Sequence, residues 1–116
     1  MKASNVKAMT EAERAYVGAM LDGEGWVAMT SGGGPYISIG NTEVEIIAAL
    51  LRATGAGTVY YSPPPAHRGN LDSYRWSVVR INEARDIARQ VQEYSQKAQR
   101  LLTENWRVRQ ADGSRK

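Results

Sequence analysis

The sequence predicts an α+β domain of order α-β-β-α-β-β-α-α, and three observations carry that prediction. Two capping boxes, Thr10-Glu11-Ala12-Glu13 and Thr42-Glu43-Val44-Glu45, mark helix starts. Two breaks, Ser31-Gly32-Gly33-Gly34-Pro35 and Pro63-Pro64-Pro65, interrupt the segments between helices. Those segments alternate apolar and polar residues with the period of a half-buried strand.

Residues 1–9 form a lead-in. The first helix runs from about Glu11 to Asp22 and is ended by Gly23 and Gly25. Trp26 to Thr30 reads as a strand, and Tyr36 to Gly40 returns after the glycine turn to make a hairpin. The second helix opens at the Thr42 box and carries Val44, Ile47, Ala48 and Leu51 as its apolar face. Gly55 closes it. Thr58 to Ser62 is the third strand, and the prolines that follow forbid further pairing and open a loop through Asn70. Ser73 to Ile81 is the fourth strand. Asn82 then caps a helix whose stripe is Ala84, Ile87, Ala88 and Val91. A break near Ser95 precedes a last helical stretch to about Trp106. Arg107 to Lys116 reads as a frayed basic tail. No linker divides the chain, so 1–116 is expected to be one domain with its core at about 10–106.

Composition narrows the class. At 116 residues the chain can bury one modest core. Apolar residues make up 42% and charged residues 23%, as in ordinary globular proteins. There is no cysteine, which excludes disulfides, thiolate metal sites and cysteine nucleophiles. No apolar run suits a membrane span or a signal peptide, so a cytoplasmic protein with no membrane partner is expected. The formal charge of +3 leans toward a polyanionic partner.

One run points to chemistry: Val17-Gly18-Ala19-Met20-Leu21-Asp22-Gly23-Glu24-Gly25. Small and apolar residues lead into an acidic, glycine-flanked helix end. Acids there oppose the macrodipole, which favours cations at a C-terminus. A bound metal cation would relieve the conflict, whereas the plain alternative is a Glu24 that merely tops the helix. Ala15, Gly18, Ala19 and Asp22 recur at helical spacing, and small residues let two helix backbones approach closely.

The run resembles the signature of the LAGLIDADG homing endonucleases, in the variant ending Asp-Gly-Glu-Gly, and it occurs once. The likeness extends from about Ala12 to Trp106 through the order of elements. It implies one four-stranded antiparallel sheet with helices packed on one face, and a homodimer joined along the first helix through Ala15, Gly18, Ala19 and Asp22. The eighth signature residue, here Glu24, would be the metal-binding acid, with the carbonyl of Gly23 beside it. Two chains would bring two carboxylates together, and these would repel unless cations lay between them. The implied cofactor is Mg²⁺ or Mn²⁺, with Ca²⁺ binding without supporting cleavage. Asn41 stands where the family often carries a water-ordering amide, and equally where an Asn extends a helix cap. Lys97 is the candidate basic catalytic residue, with Arg100 its rival. The implied activity is hydrolysis of both strands of a long, near-palindromic duplex DNA, encoded in an intron or other mobile element, an organellar one included. The alternative is a maturase or regulator that binds DNA or RNA on the same fold without cutting.

A sheet backed by helices leaves one face open, and a β-ribbon fits the major groove. Alternation puts Val27, Met29, Ile37, Ile39, Val59, Tyr61, Tyr74, Trp76 and Val78 inward. It leaves Trp26, Ala28, Thr30, Tyr36, Ser38, Thr58, Tyr60, Ser62, Arg75 and Ser77 outward as candidate DNA contacts. The loop residues His67, Arg68 and Asn70 add a donor-rich tip.

Overall fold

A computed structural model of the chain describes residues 4–30, 32–63 and 72–103. The elements are α1 (Glu11–Glu24), β1 (Gly25–Met29), β2 (Pro35–Asn41), α2 (Val44–Thr54), β3 (Thr58–Ser62), β4 (Ser73–Val78), α3 (Ile81–Val91), a 3₁₀ turn (Gln92–Tyr94) and α4 (Gln96–Thr103). The fold is α+β, with four helices and one antiparallel sheet of strand order β1-β2-β4-β3.

α1 begins as the sequence predicts. The Thr10 hydroxyl accepts the Glu13 N–H at 3.1 Å, and the Glu13 carboxylate accepts the Thr10 N–H at 2.9 Å. Lys7 pairs with the same carboxylate at 2.8 Å. The helix runs two residues past the expected Asp22, so Gly23 and Glu24 are helical and Gly25 is the first strand residue. Gly25 is needed for close approach, since a Cβ there would lie 2.6 Å from Ile39 Cγ1 and 2.9 Å from the Ser38 carbonyl. The tight junction ties the end of α1 to β2.

α2 departs from expectation at its start. The Thr42 box does not form; Glu43 occupies the cap without a side-chain cap bond. Asn41 takes over, its Oδ1 accepting the Glu43 N–H at 2.8 Å. That Asx turn competes with a threonine cap one residue later. The buried face is Ile47, Leu50, Ala53 and Thr54, while the expected Val44 and Leu51 are exposed. Gly55 closes the helix with φ +73°, where L side chains are strained.

β4 ends at Val78, earlier than expected, and Arg80 rather than Asn82 caps α3. The stripe Ala84, Ile87, Ala88 and Val91 is buried as predicted. Ser95 adopts extended backbone, and its hydroxyl accepts the Ala98 N–H at 3.0 Å to cap α4. Residues 104–106 and the basic tail 107–116 lie outside the described residues, so the expected helix end near Trp106 does too.

Val17, Leu21, Ile37, Ile39, Ile47, Leu50, Trp76, Val78, Ile87, Val91 and Leu101 form the centre of one core that draws on all four helices and on β1, β2 and β4. β3 does not follow. Val59 and Tyr61 are 37% and 56% exposed, which corrects their inward assignment. β3 is an edge strand paired only to β4, and alternation fixes which way a side chain points but not whether anything covers it.

Candidate functional site

The end of α1 gathers the residues that the sequence singled out. Glu24 is exposed at the last helical position. Asn41 closes β2, and its Nδ2 donates a short hydrogen bond to Glu24 Oε1. Since the same amide's Oδ1 holds the Glu43 N–H, the Asn41 side chain is fixed from both ends. Both open readings of Asn41, the cap and the active-site amide, therefore rest on one side chain. The helix end is uncovered at Gly23, where an added Cβ would meet open space.

Asp22 and Lys97 cross-link α1 to α4. The Asp22 carboxylate accepts the Ser95 hydroxyl at 2.7 Å, the Gln96 N–H at 3.0 Å and the Lys97 N–H at 3.1 Å. An acid at the start of α4 also suits that helix's dipole. In return the Lys97 ammonium donates to the Asp22 carbonyl at 3.2 Å and to the Gly25 carbonyl at 2.6 Å. A cation thus does sit at the end of α1, and it belongs to the chain. Lys97 is a partly buried clamp on the carbonyls of Asp22 and Gly25 and not a solvated face. Arg100 is exposed on the next turn, lining one recess with Asp22, Gln96 and Lys97.

Burial pushes the Asp22 carboxyl up, but the Ser95, Gln96 and Lys97 bonds outweigh it and hold the group below its ordinary 3.8. The fold therefore favours the carboxylate. Its contribution is present above the ordinary value and is lost as pH falls through the lower folded value. Asp22→Ala is expected to cost about 1 kcal/mol at neutral pH, as for a lost helix cap. The gap between the two proteins closes in acid, and denaturant melts across pH check it.

The expected dimer residues divide. Ala19 and Asp22 are exposed and Ala15 is half-buried, all on α1. Gly18 is corrected: it is buried against Tyr94 of the same chain, where an added Cβ would lie 2.7 Å from the Tyr94 Cβ. Its smallness serves the packing of the 3₁₀ turn on α1.

The sheet's outward set also divides. Thr58, Tyr60, Ser62, Trp26 and Arg75 are exposed, and Ala28, Thr30 and Tyr36 are half-buried. Thr30 lies just past β1, its hydroxyl accepting the Gly34 N–H at 3.3 Å. Ser38 and Ser77 are corrected: they are only 1% and 9% exposed, and their hydroxyls bond each other at 3.1 Å across the β2–β4 pair. His67, Arg68 and Asn70 lie outside the described residues. The pairing of Trp26 with Arg75, whose guanidinium carbon lies 5.5 Å from the indole centroid, has no local signal in the sequence.

Among the described residues no three His, Cys, Asp or Glu side chains group as a metal cluster. The donors at the end of α1 are hard oxygens, one carboxylate with backbone carbonyls nearby, which suit Mg²⁺ or Mn²⁺ in kind. Among the described residues no helix is long and apolar enough to cross a membrane. No protein-family model matches this chain, and no curated protein matches it.

Proposed function

We propose that this chain is a homodimeric, metal-dependent endonuclease of the LAGLIDADG kind that cuts both strands of a long, near-palindromic DNA site. The observation that carries the reading is the Glu24–Asn41 pair. An exposed carboxylate ends a signature helix and is aimed by an amide that is itself anchored. The order of elements and the strand order β1-β2-β4-β3 support the finer fold, with helices behind the sheet and its outward side chains against DNA.

Each residue then has a task. Glu24, with the Gly23 carbonyl, would hold Mg²⁺ or Mn²⁺ together with the same groups of a second chain. When bound, such ions supply an activated water and stabilise the leaving oxygen. Asn41 orients the Glu24 carboxylate. Lys97 holds the Gly25 carbonyl and so fixes the residue next to Glu24. Ala15, Ala19 and Asp22 stand on the helix along which the partner would pack. The exposed Trp26, Thr58, Tyr60, Ser62 and Arg75 would meet the duplex. The enzyme would act in the cytoplasm, or in the organelle whose intron encodes it.

Metal removal tests the reading. Breaks in duplex DNA are expected with Mg²⁺, none with a chelator, and retention of DNA without breaks in Ca²⁺. Retention with no breaks in any metal would favour the non-cleaving DNA- or RNA-binding alternative. Breaks that persist in chelator would contradict the metal-dependent mechanism.

A further inference from the structure

The outward side of the sheet holds one fully formed charged feature. Trp26 on β1 and Arg75 on β4 do not face each other directly. Trp26 is paired with Ser38, and Arg75 with Gly40 two residues further along β2. Gly40 has no side chain to stand between them, so the guanidinium reaches the indole diagonally, 5.5 Å from its centroid. An indole face attracts a cation held within about 6 Å of its centroid, which restrains where the guanidinium can go. No carboxylate pairs with Arg75 among the described residues, where the one ion pair is Lys7 with Glu13. Arg75 thus presents a guanidinium restrained by Trp26 and exposed to solvent, on an interior strand of the sheet.

We infer that Arg75, buttressed by Trp26, reads a guanine in the major groove next to the scissile position. This rests on the DNA-cutting reading above and adds a base and a place to it. A guanidinium offers two parallel donors, and guanine O6 and N7 are the two acceptors that match them. Three features favour a base edge over a phosphate: the interior strand, the reach held back over the indole, and the exposed Tyr60 directly across from Arg75 on β3. The place follows from the recess that Arg75 shares with Asn41, a hollow of about 300 Å³ also lined by Trp26 and Gly40. Asn41 is bonded to Glu24, so the base under Arg75 lies close to the bond that is cut.

The test is selection of bound duplexes from a randomised pool, read by sequencing, with binding measured in Ca²⁺ so that cutting is not needed. The parent protein is expected to enrich a guanine at one position of each half-site. Arg75→Ala is expected to lose that preference alone, on the order of 10- to 100-fold, with the other positions kept. Arg75→Lys keeps the charge without the fork and is expected to lose it as well. Trp26→Ala is expected to weaken it. An unchanged preference in Arg75→Ala, with affinity falling evenly across sequences and a shallower salt dependence, would make Arg75 a phosphate contact and overturn the inference. A parent protein that retains no duplex at all would overturn the DNA reading and this inference with it. Retention without cutting in Mg²⁺ leaves the base assignment standing and removes only the nuclease.

Discussion

Glu24→Gln is expected to leave a folded, DNA-binding protein that no longer cuts. Glutamine keeps the length of the side chain and an oxygen that can accept from Asn41 Nδ2, so the end of α1 and the Asn41 turn should stand. What goes is the negative charge, and with it the strong preference of a hard cation for that oxygen. The loss should be on the order of 10³-fold or more, the scale of removing a group at the reacting centre. Asn41→Ala keeps the charge but frees its orientation, so a smaller loss of roughly 10- to 100-fold is expected, as for groups that position a metal ligand. Cleavage rates of the three proteins on one substrate, beside their DNA affinities, check both. Full activity in Glu24→Gln would remove the carboxylate from the mechanism.

Trp76→Ala is expected to carry the largest cost to stability. The indole is fully buried in the sheet, and its Nε1 donates to the Ala56 carbonyl at 2.9 Å. Gly57, at φ +101°, leaves room for it. Truncation opens a cavity and leaves that carbonyl one partner short, at about 3–5 kcal/mol. That is a large share of the 5–15 kcal/mol typical of a domain. Trp76→Phe fills most of the space and loses mainly the hydrogen bond, so it should cost less. Chemical denaturation of the parent and both variants measures the order. Because Trp76 neighbours Arg75 on the same strand, the alanine variant should also weaken DNA binding.

What was legible in the sequence was local. The Thr10–Glu13 box, the Gly55 stop and the Ala84–Val91 stripe each depend on residues within one or two turns, and each formed as read. The Thr42 box failed for a local reason: Asn41, one of whose two readings was a cap-extending Asn, accepts the Glu43 N–H in place of the threonine cap. β3 was misread because its pairing order and its lack of cover are set by strands and helices far along the chain. Ser38 and Ser77 were read as exposed from alternation alone, but alternation does not report accessibility, and both are buried and bonded to each other across β2 and β4.

The site divides in the same way. Glu24 and Asn41 were named from a signature and a strand end, and the fold brings them into contact. Lys97 was named as a basic residue of the site, yet its bonds to the Asp22 and Gly25 carbonyls join segments more than seventy positions apart. Nothing near Lys97 in sequence announces them. The acids at the end of α1 raised the need for a cation, and Lys97 answers part of it.

The most direct measurement is to incubate the protein with a randomised and genomic pool of duplex DNA in Mg²⁺ and to sequence the ends produced. Recurrent staggered cuts with 3′ overhangs, centred in near-palindromic sites and absent with Glu24→Gln, are what a two-fold pair of Glu24 sites predicts. Ends that are scattered, blunt, or equally frequent with Glu24→Gln would contradict it.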